Sequence, residues 1–130
     1  MATILFLDDP EAMEMCVRVL NACGHACHHF QHADDMLDFS WETQPDLVVL
    51  NPHINGGEGL FVLETLKARD VGLPVVLYTD TSLFGDSCDY FIADKTLVKQ
   101  PGHAHLLAFI EAKFGHHDIS ETVPFHEFYF

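Results

Sequence analysis

Three short segments of this 130-residue chain end an apolar run on side chains that could do chemistry. Asp8 and Asp9 follow Ile4 to Leu7. Asn51 follows Leu47 to Leu50, within DLVVLNPHINGGEGL, and Thr79 closes PVVLYT. A strand that stops this way delivers one side chain to the edge of a sheet. In an open parallel sheet ligands bind beyond the carboxyl ends of the strands. Two carboxylates and a third oxygen ligand could hold Mg²⁺ there, and a hydroxyl with an ammonium could hold a phosphoryl group. Each piece alone has a plainer reading: Asp is a favoured helix cap, and Thr79 could simply begin a turn. Residue 51 is an amide at a position where phosphate chemistry would call for a carboxylate.

The elements that must position these groups are legible in outline. Thr3 to Leu7 reads as a buried strand, and Pro10 suits the first turn of a helix that ends at Gly24. Ala12, Met13, Cys16, Val17, Val19 and Leu20 form its apolar stripe. His25 to Phe30 is a weak second strand. A second helix starts over Ala33 to Phe39, with Met36, Leu37 and Phe39 apolar. Leu47 to Leu50 is a third strand. A third helix over Glu58 to Ala68 is expected to turn Leu60, Phe61, Leu63 and Leu66 inward. Leu73 to Tyr78 is a fourth strand, and residues 81–98 resist a reading. A last helix runs from His103 to Phe114 on Leu106, Leu107, Phe109, Ile110 and Phe114. Strands alternate with helices, and three strands are unbroken apolar runs, as happens when both faces of a sheet are covered. The pattern predicts an α/β domain with a doubly wound parallel sheet.

Composition narrows the function classes. With 48% hydrophobic residues and 11 Phe the chain can build a core. At a formal charge of −14 it is a poor partner for nucleic acid or an anionic membrane, both of which require positive surface. No apolar run is long enough to span a bilayer, and MATILFLDD lacks the basic start of a signal peptide. The chain is therefore expected to be soluble and cytoplasmic. Its four cysteines, Cys16, Cys23, Cys27 and Cys88, are expected to be buried free thiols.

Taken together, these segments resemble the receiver domain of response regulators, with its CheY-like, flavodoxin-like fold. ILFLDD is similar to that family's acidic pair. PDLVVLNPHINGGEGL is similar to its PDLVLLD…PG.DG segment, with Glu58-Gly59 at the place of Asp-Gly, and PVVLYT matches the strand ending in Ser or Thr. The resemblance covers about residues 2 to 114. It implies a five-stranded parallel sheet of order 2-1-3-4-5 flanked by helices, a receiver domain over 1–115 and an aromatic tail over 116–130. The tail is expected to fold back over the core, to dock a partner or a second copy, or to be a disordered end.

The resemblance also implies roles. Asp8 and Asp9 would form the acidic Mg²⁺ site, Asp9 as the more direct ligand, with Asn51 and the His53 backbone carbonyl completing it. Asn51 stands at the phosphoacceptor position, and Thr79 would contact the phosphoryl group. The lysine is either Lys99, in ADKTLVK, or Lys95, in DYFIADK; if it is Lys95, the fourth helix is nearly absent. A neutral amide is a poor nucleophile and removes one charge from the metal site. Phosphotransfer at 51 is therefore expected to be lost and Mg²⁺ to bind only weakly. Asp80 after Thr79 would repel an incoming anion. The family's switch aromatic is replaced by Thr96 or Ile92, and the peptide bond after the lysine is expected to be trans.

The expected function is that of a degenerate receiver of two-component phosphorelay signalling. It is not an enzyme, and it acts by contact with a signalling protein such as a histidine kinase or another receiver, as a monomer or weak dimer. Two alternatives remain. One is a working response regulator phosphorylated elsewhere, with Asp8 or Asp9 as the nearby carboxylates. The other is a metal module on GHACHHFQH, with His25, Cys27 and His29 on one strand face and His28 on the other.

Overall fold

The computed structural model describes residues 1–80 and 92–115. Five parallel strands, β1 (Thr3–Leu7), β2 (Ala26–Phe30), β3 (Leu47–Leu50), β4 (Val75–Thr79) and β5 (Lys95–Val98), form one sheet in the order β2-β1-β3-β4-β5. Four α-helices connect and cover them among the described residues: α1 (Pro10–Ala22), α2 (Ala33–Thr43), α3 (Glu58–Arg69) and α4 (Ala104–Phe114). No helix of the described residues is long and apolar enough to cross a membrane. Residues 81–91, with Cys88 and the expected fourth helix, and the tail 116–130 lie outside the described residues.

The alternation of side chains along a strand explains the two cores. Ile4, Phe6, Leu47, Val49, Val76 and Tyr78 face Met13, Cys16 and Leu20 of α1 and Leu106 and Ile110 of α4. Leu5, Leu7, Val48, Leu50, Val75 and Leu77 face Met36 of α2 and Val62, Leu63 and Leu66 of α3. β1, β3 and β4 are buried on both sides, hence their unbroken apolar sequences. β2 and β5 are the sheet edges and carry the polar residues.

Several expectations need correction. Val19 and Phe61 are exposed, Phe61 by 54%. In α3 the buried stripe is Gly59, Val62, Leu63 and Leu66; five consecutive non-polar residues leave the helical phase open, and the sheet fixes it. Cys16 and Cys27 are buried free thiols, but Cys23 is exposed beyond the end of α1. Burial pushes the Cys16 and Cys27 thiols up to about 12, so neither supplies thiolate near neutral pH.

The metal module on β2 does not form among the described residues, where no three His, Cys, Asp or Glu side chains converge on a metal position. His25 precedes β2, and its Nδ1 accepts from the Ala2 amide at 3.1 Å. The His28 ring packs at a tilt against Phe39 with 4.6 Å between ring centres, and His29 Nε2 meets the Asp8 carbonyl at 3.0 Å.

Candidate functional site

The register of the sheet builds the site. Leu7 pairs with Phe30 on one side and Leu50 on the other. One step further, the Asp8 amide donates to the Phe30 carbonyl at 3.1 Å and the Asn51 amide to the Leu7 carbonyl at 2.9 Å. Thr79 pairs with Val98, and the Lys99 amide donates to the Thr79 carbonyl at 2.6 Å. Asp8 and Asn51 thus leave their strands at one level of the carboxyl edge, the level of Tyr78 and Leu97, and Lys99 follows two residues beyond Leu97. Each also continues the same alternation, with Phe6, Val49 and Leu97 respectively, so the three side chains belong to one face.

They meet there. The Asn51 amide nitrogen donates to Asp8 Oδ1 at 3.0 Å, and the Lys99 ammonium lies 2.7 Å from Asp8 Oδ2. Asp8 is buried, and the Lys99 side chain is only 16% exposed. The Asp9 amide also donates to Asp8 Oδ1, at 2.6 Å. The other end of the Asn51 amide is engaged too, with Oδ1 accepting the His53 N–H at 2.9 Å. An amide suits this position because it offers a donor to the carboxylate and an acceptor to the loop. A carboxylate at 51 would set two negative groups side by side.

The two candidate lysines lie at opposite ends of β5. Lys95 pairs with Val76 at the start of the strand and is exposed. Four residues at ~3.3 Å each put its Cα roughly 13 Å from that of Lys99. Asp9 is exposed and caps α1, with Oδ1 accepting the Glu11 amide at 3.0 Å. A cleft of about 180 Å³ beside it is lined by Asp9, Pro10, Gln31, His32, Ile54 and Asn55. Thr79 is fully buried at the end of β4, and Asp80 beside it is exposed. Thr96 pairs with Leu77 inside β5, and Ile92 is exposed. No peptide bond among the described residues is cis, so the Lys99–Gln100 junction is trans.

As arranged, these residues do not fit a Mg²⁺ ion well. Mg²⁺ needs several oxygens at about 2.0–2.1 Å in octahedral array. Both oxygens of Asp8, the amide oxygen of Asn51 and one oxygen of Asp9 already hold protein donors.

Three contacts around the site were not visible in the sequence. Tyr78, buried one residue before Thr79, holds His103 through a 2.7 Å bond between its hydroxyl and Nδ1. Its ring lies 5.7 Å from the Lys99 ammonium. Burial pushes the phenol up to about 12. The second contact is between His29 and the Asp8 carbonyl. No local periodicity links residues more than twenty positions apart, so neither pair had a signal.

The third contact is a cap supplied from a distance. α2 has no side-chain cap of its own, and Glu58 of α3 accepts the Ala33 amide at 2.8 Å in its place. The bond from Ala33, then that from Asn55, holds the Glu58 carboxyl below its ordinary value of 4.5. A depressed carboxyl stabilises the fold above its unfolded pKa, and that contribution is lost as pH falls through the folded value. Glu58→Gln should therefore lower the urea midpoint at neutral pH. The gap to wild type should close as pH drops from about 5 toward 3; a gap constant across that window would remove the charge from the cap.

Comparison with known proteins places the chain among its relatives. The profile of the response regulator receiver domain matches residues 4–111. The DNA-binding transcriptional regulator NtrC of Klebsiella pneumoniae is 29% identical over 72 residues, which are 55% of this chain and 15% of that protein. The chain thus spans a small part of that relative's length. The response regulator TrrA of Thermotoga maritima, solved with Mg²⁺-BeF, superposes with a TM-score of 0.77 at 22% identity, over 86% of this chain and 98% of that one. TrrA has also been solved in complex with the histidine kinase ThkA; that structure matches with a TM-score of 0.77 at 22% identity, over 88% of this chain and all of the other.

Proposed function

The chain belongs to the response regulator receiver domain family, and from that premise we propose that it signals by protein contact without phosphorylation at residue 51. The observation that carries the reading is the state of Asn51. Its amide is chemically a poor nucleophile, and both ends are committed, one to Asp8 and one to the His53 N–H. Phosphotransfer in this family requires a carboxylate that attacks the phosphodonor and becomes an acyl phosphate. An amide oxygen at the same position offers neither the charge nor the lone-pair basicity.

The partner is a signalling protein, either a histidine kinase or another receiver; the complex of TrrA with ThkA supports that class. The protein works as a cytoplasmic contact module and not as an enzyme, as a monomer or weak dimer. Thr79, Lys99 and Asp80 line the carboxyl edge as remnants of a phosphoryl site, with Lys99 at the place of the family lysine because of its ion pair with Asp8.

Incubation with acetyl phosphate and Mg²⁺, read by intact mass, tests this. The native chain should keep its mass, and Asn51→Asp should gain a phosphoryl group. In EDTA the same variant should lose about 1–2 kcal/mol of stability, from a lost donor and two adjacent carboxylates. Phosphate on the native chain, mapped to Asp8 or Asp9, would instead favour a response regulator phosphorylated elsewhere. A higher urea midpoint for Asn51→Asp would contradict the stabilising role of the amide.

A further inference from the structure

We infer that the ammonium of Lys99 is the resident cation of the acidic pocket and closes it to Mg²⁺, making the domain indifferent to divalent metal. This deepens the contact-only reading above and rests on it. The ammonium sits 2.7 Å from Asp8 Oδ2, where a divalent ion using that oxygen would also have to sit. The other carboxylate oxygen, Oδ1, accepts from the Asp9 amide and the Asn51 amide nitrogen. Asn51 Oδ1 points to the His53 N–H and Asp9 Oδ1 to the Glu11 N–H. Asp8 and Asp9 supply two negative charges and Lys99 one positive charge, while Asn51 supplies none. A single net charge is left to attract an ion that sheds its water reluctantly.

Entry of Mg²⁺ requires the ammonium to leave. A departing Lys99 gives up its ion pair with a buried carboxylate. It also leaves the Tyr78 ring, which lies 5.7 Å away. The amide at 51 is what frees the lysine for this role. With no charge on residue 51, Asp8 is the carboxylate within its reach, and one ammonium neutralises it. The regulation implied is constitutive: the carboxyl edge keeps one arrangement at any cellular Mg²⁺ level.

Calorimetric titration and thermal melts with MgCl₂ at constant ionic strength test the inference on wild type, Lys99→Met and Lys99→Gln. The wild-type melting temperature should be the same in EDTA and in about 10 mM Mg²⁺, since an ion that does not bind cannot shift the folding equilibrium. Removing the ammonium should open the pocket, giving saturable, stabilising Mg²⁺ binding at least about tenfold tighter than in wild type. Adding Asp8→Asn to Lys99→Met should abolish that binding. Saturable millimolar or tighter binding to the wild type would overturn the inference, and this holds even if neither Lys99 variant folds. Equal affinities in wild type and Lys99→Met would overturn it as well. If wild type binds Mg²⁺ yet keeps its mass with acetyl phosphate, this inference falls and the contact reading stands. If the native chain gains phosphate, the contact reading falls first.

Discussion

Lys99→Met should cost about 3 kcal/mol of folding stability in EDTA, because removing one partner leaves the other charge buried and uncompensated. Lys95→Met, four residues earlier in the same strand, should change stability by less than about 0.5 kcal/mol. The contrast arises from geometry. The Asp8 side chain is 4% exposed and its Oδ2 faces the Lys99 ammonium. The neighbouring donors, the Asp9 and Asn51 amides, both serve Oδ1 and carry no net charge. Lys95 is exposed at the far end of β5 and makes no ion pair among the described residues. Urea unfolding of the two variants side by side reads the difference directly. Equal midpoints would show that the Lys99–Asp8 pair contributes no more than a surface contact.

Gly59→Ala should destabilise the domain by a similar amount, about 3 kcal/mol, through overpacking against backbone. Gly59 lies in the first turn of α3, where the helix crosses the end of β3. A Cβ there would collide with the Asn51 carbonyl oxygen and come within 2.7 Å of the Asn51 carbonyl carbon and of Pro52 Cα. None of these atoms can turn aside as a side-chain tip would. Either α3 lifts from the sheet, or the residue 51 loop moves and takes the Asn51–Asp8 bond with it. The better helix propensity of Ala, about 1 kcal/mol over Gly, offsets only part of this. Thermal unfolding checks the outcome; a melting temperature within a degree or two of wild type would mean that the helix relaxes away freely.

Gly59 also marks the limit of what local sequence encodes. Its place in the Glu58-Gly59 pair signals a loop-to-helix junction, but only packing reveals that the missing side chain lets α3 approach Asn51. The α3 stripe is similar. Leu60, Phe61, Val62 and Leu63 are all apolar, so several helical phases fit the sequence. The phase that buries Gly59, Val62, Leu63 and Leu66 wins because a glycine must face the β3 backbone. β1, β3 and β4 were legible because strands buried on both faces must be apolar throughout. β2 and β5 were faint because edge strands need not be. Lys95, at the start of the four-residue β5, and Lys99, just past its end, could not be told apart by composition.

The amino-acid order by itself determined the chemistry on offer: an acidic pair after one strand, an amide after another, a hydroxyl after a third, and the alternation that forces a parallel sheet. Those are local properties, set by side-chain type and by the spacing of apolar residues. Which lysine completes the set, which carboxylate oxygen it neutralises and which helix end Glu58 caps were decided by the folded sheet. Parallel pairing in register brings residues 8 and 51 to one level and sets residue 99 on the same face, two residues further along, with its ammonium on Asp8, and no short window of sequence contains that arrangement.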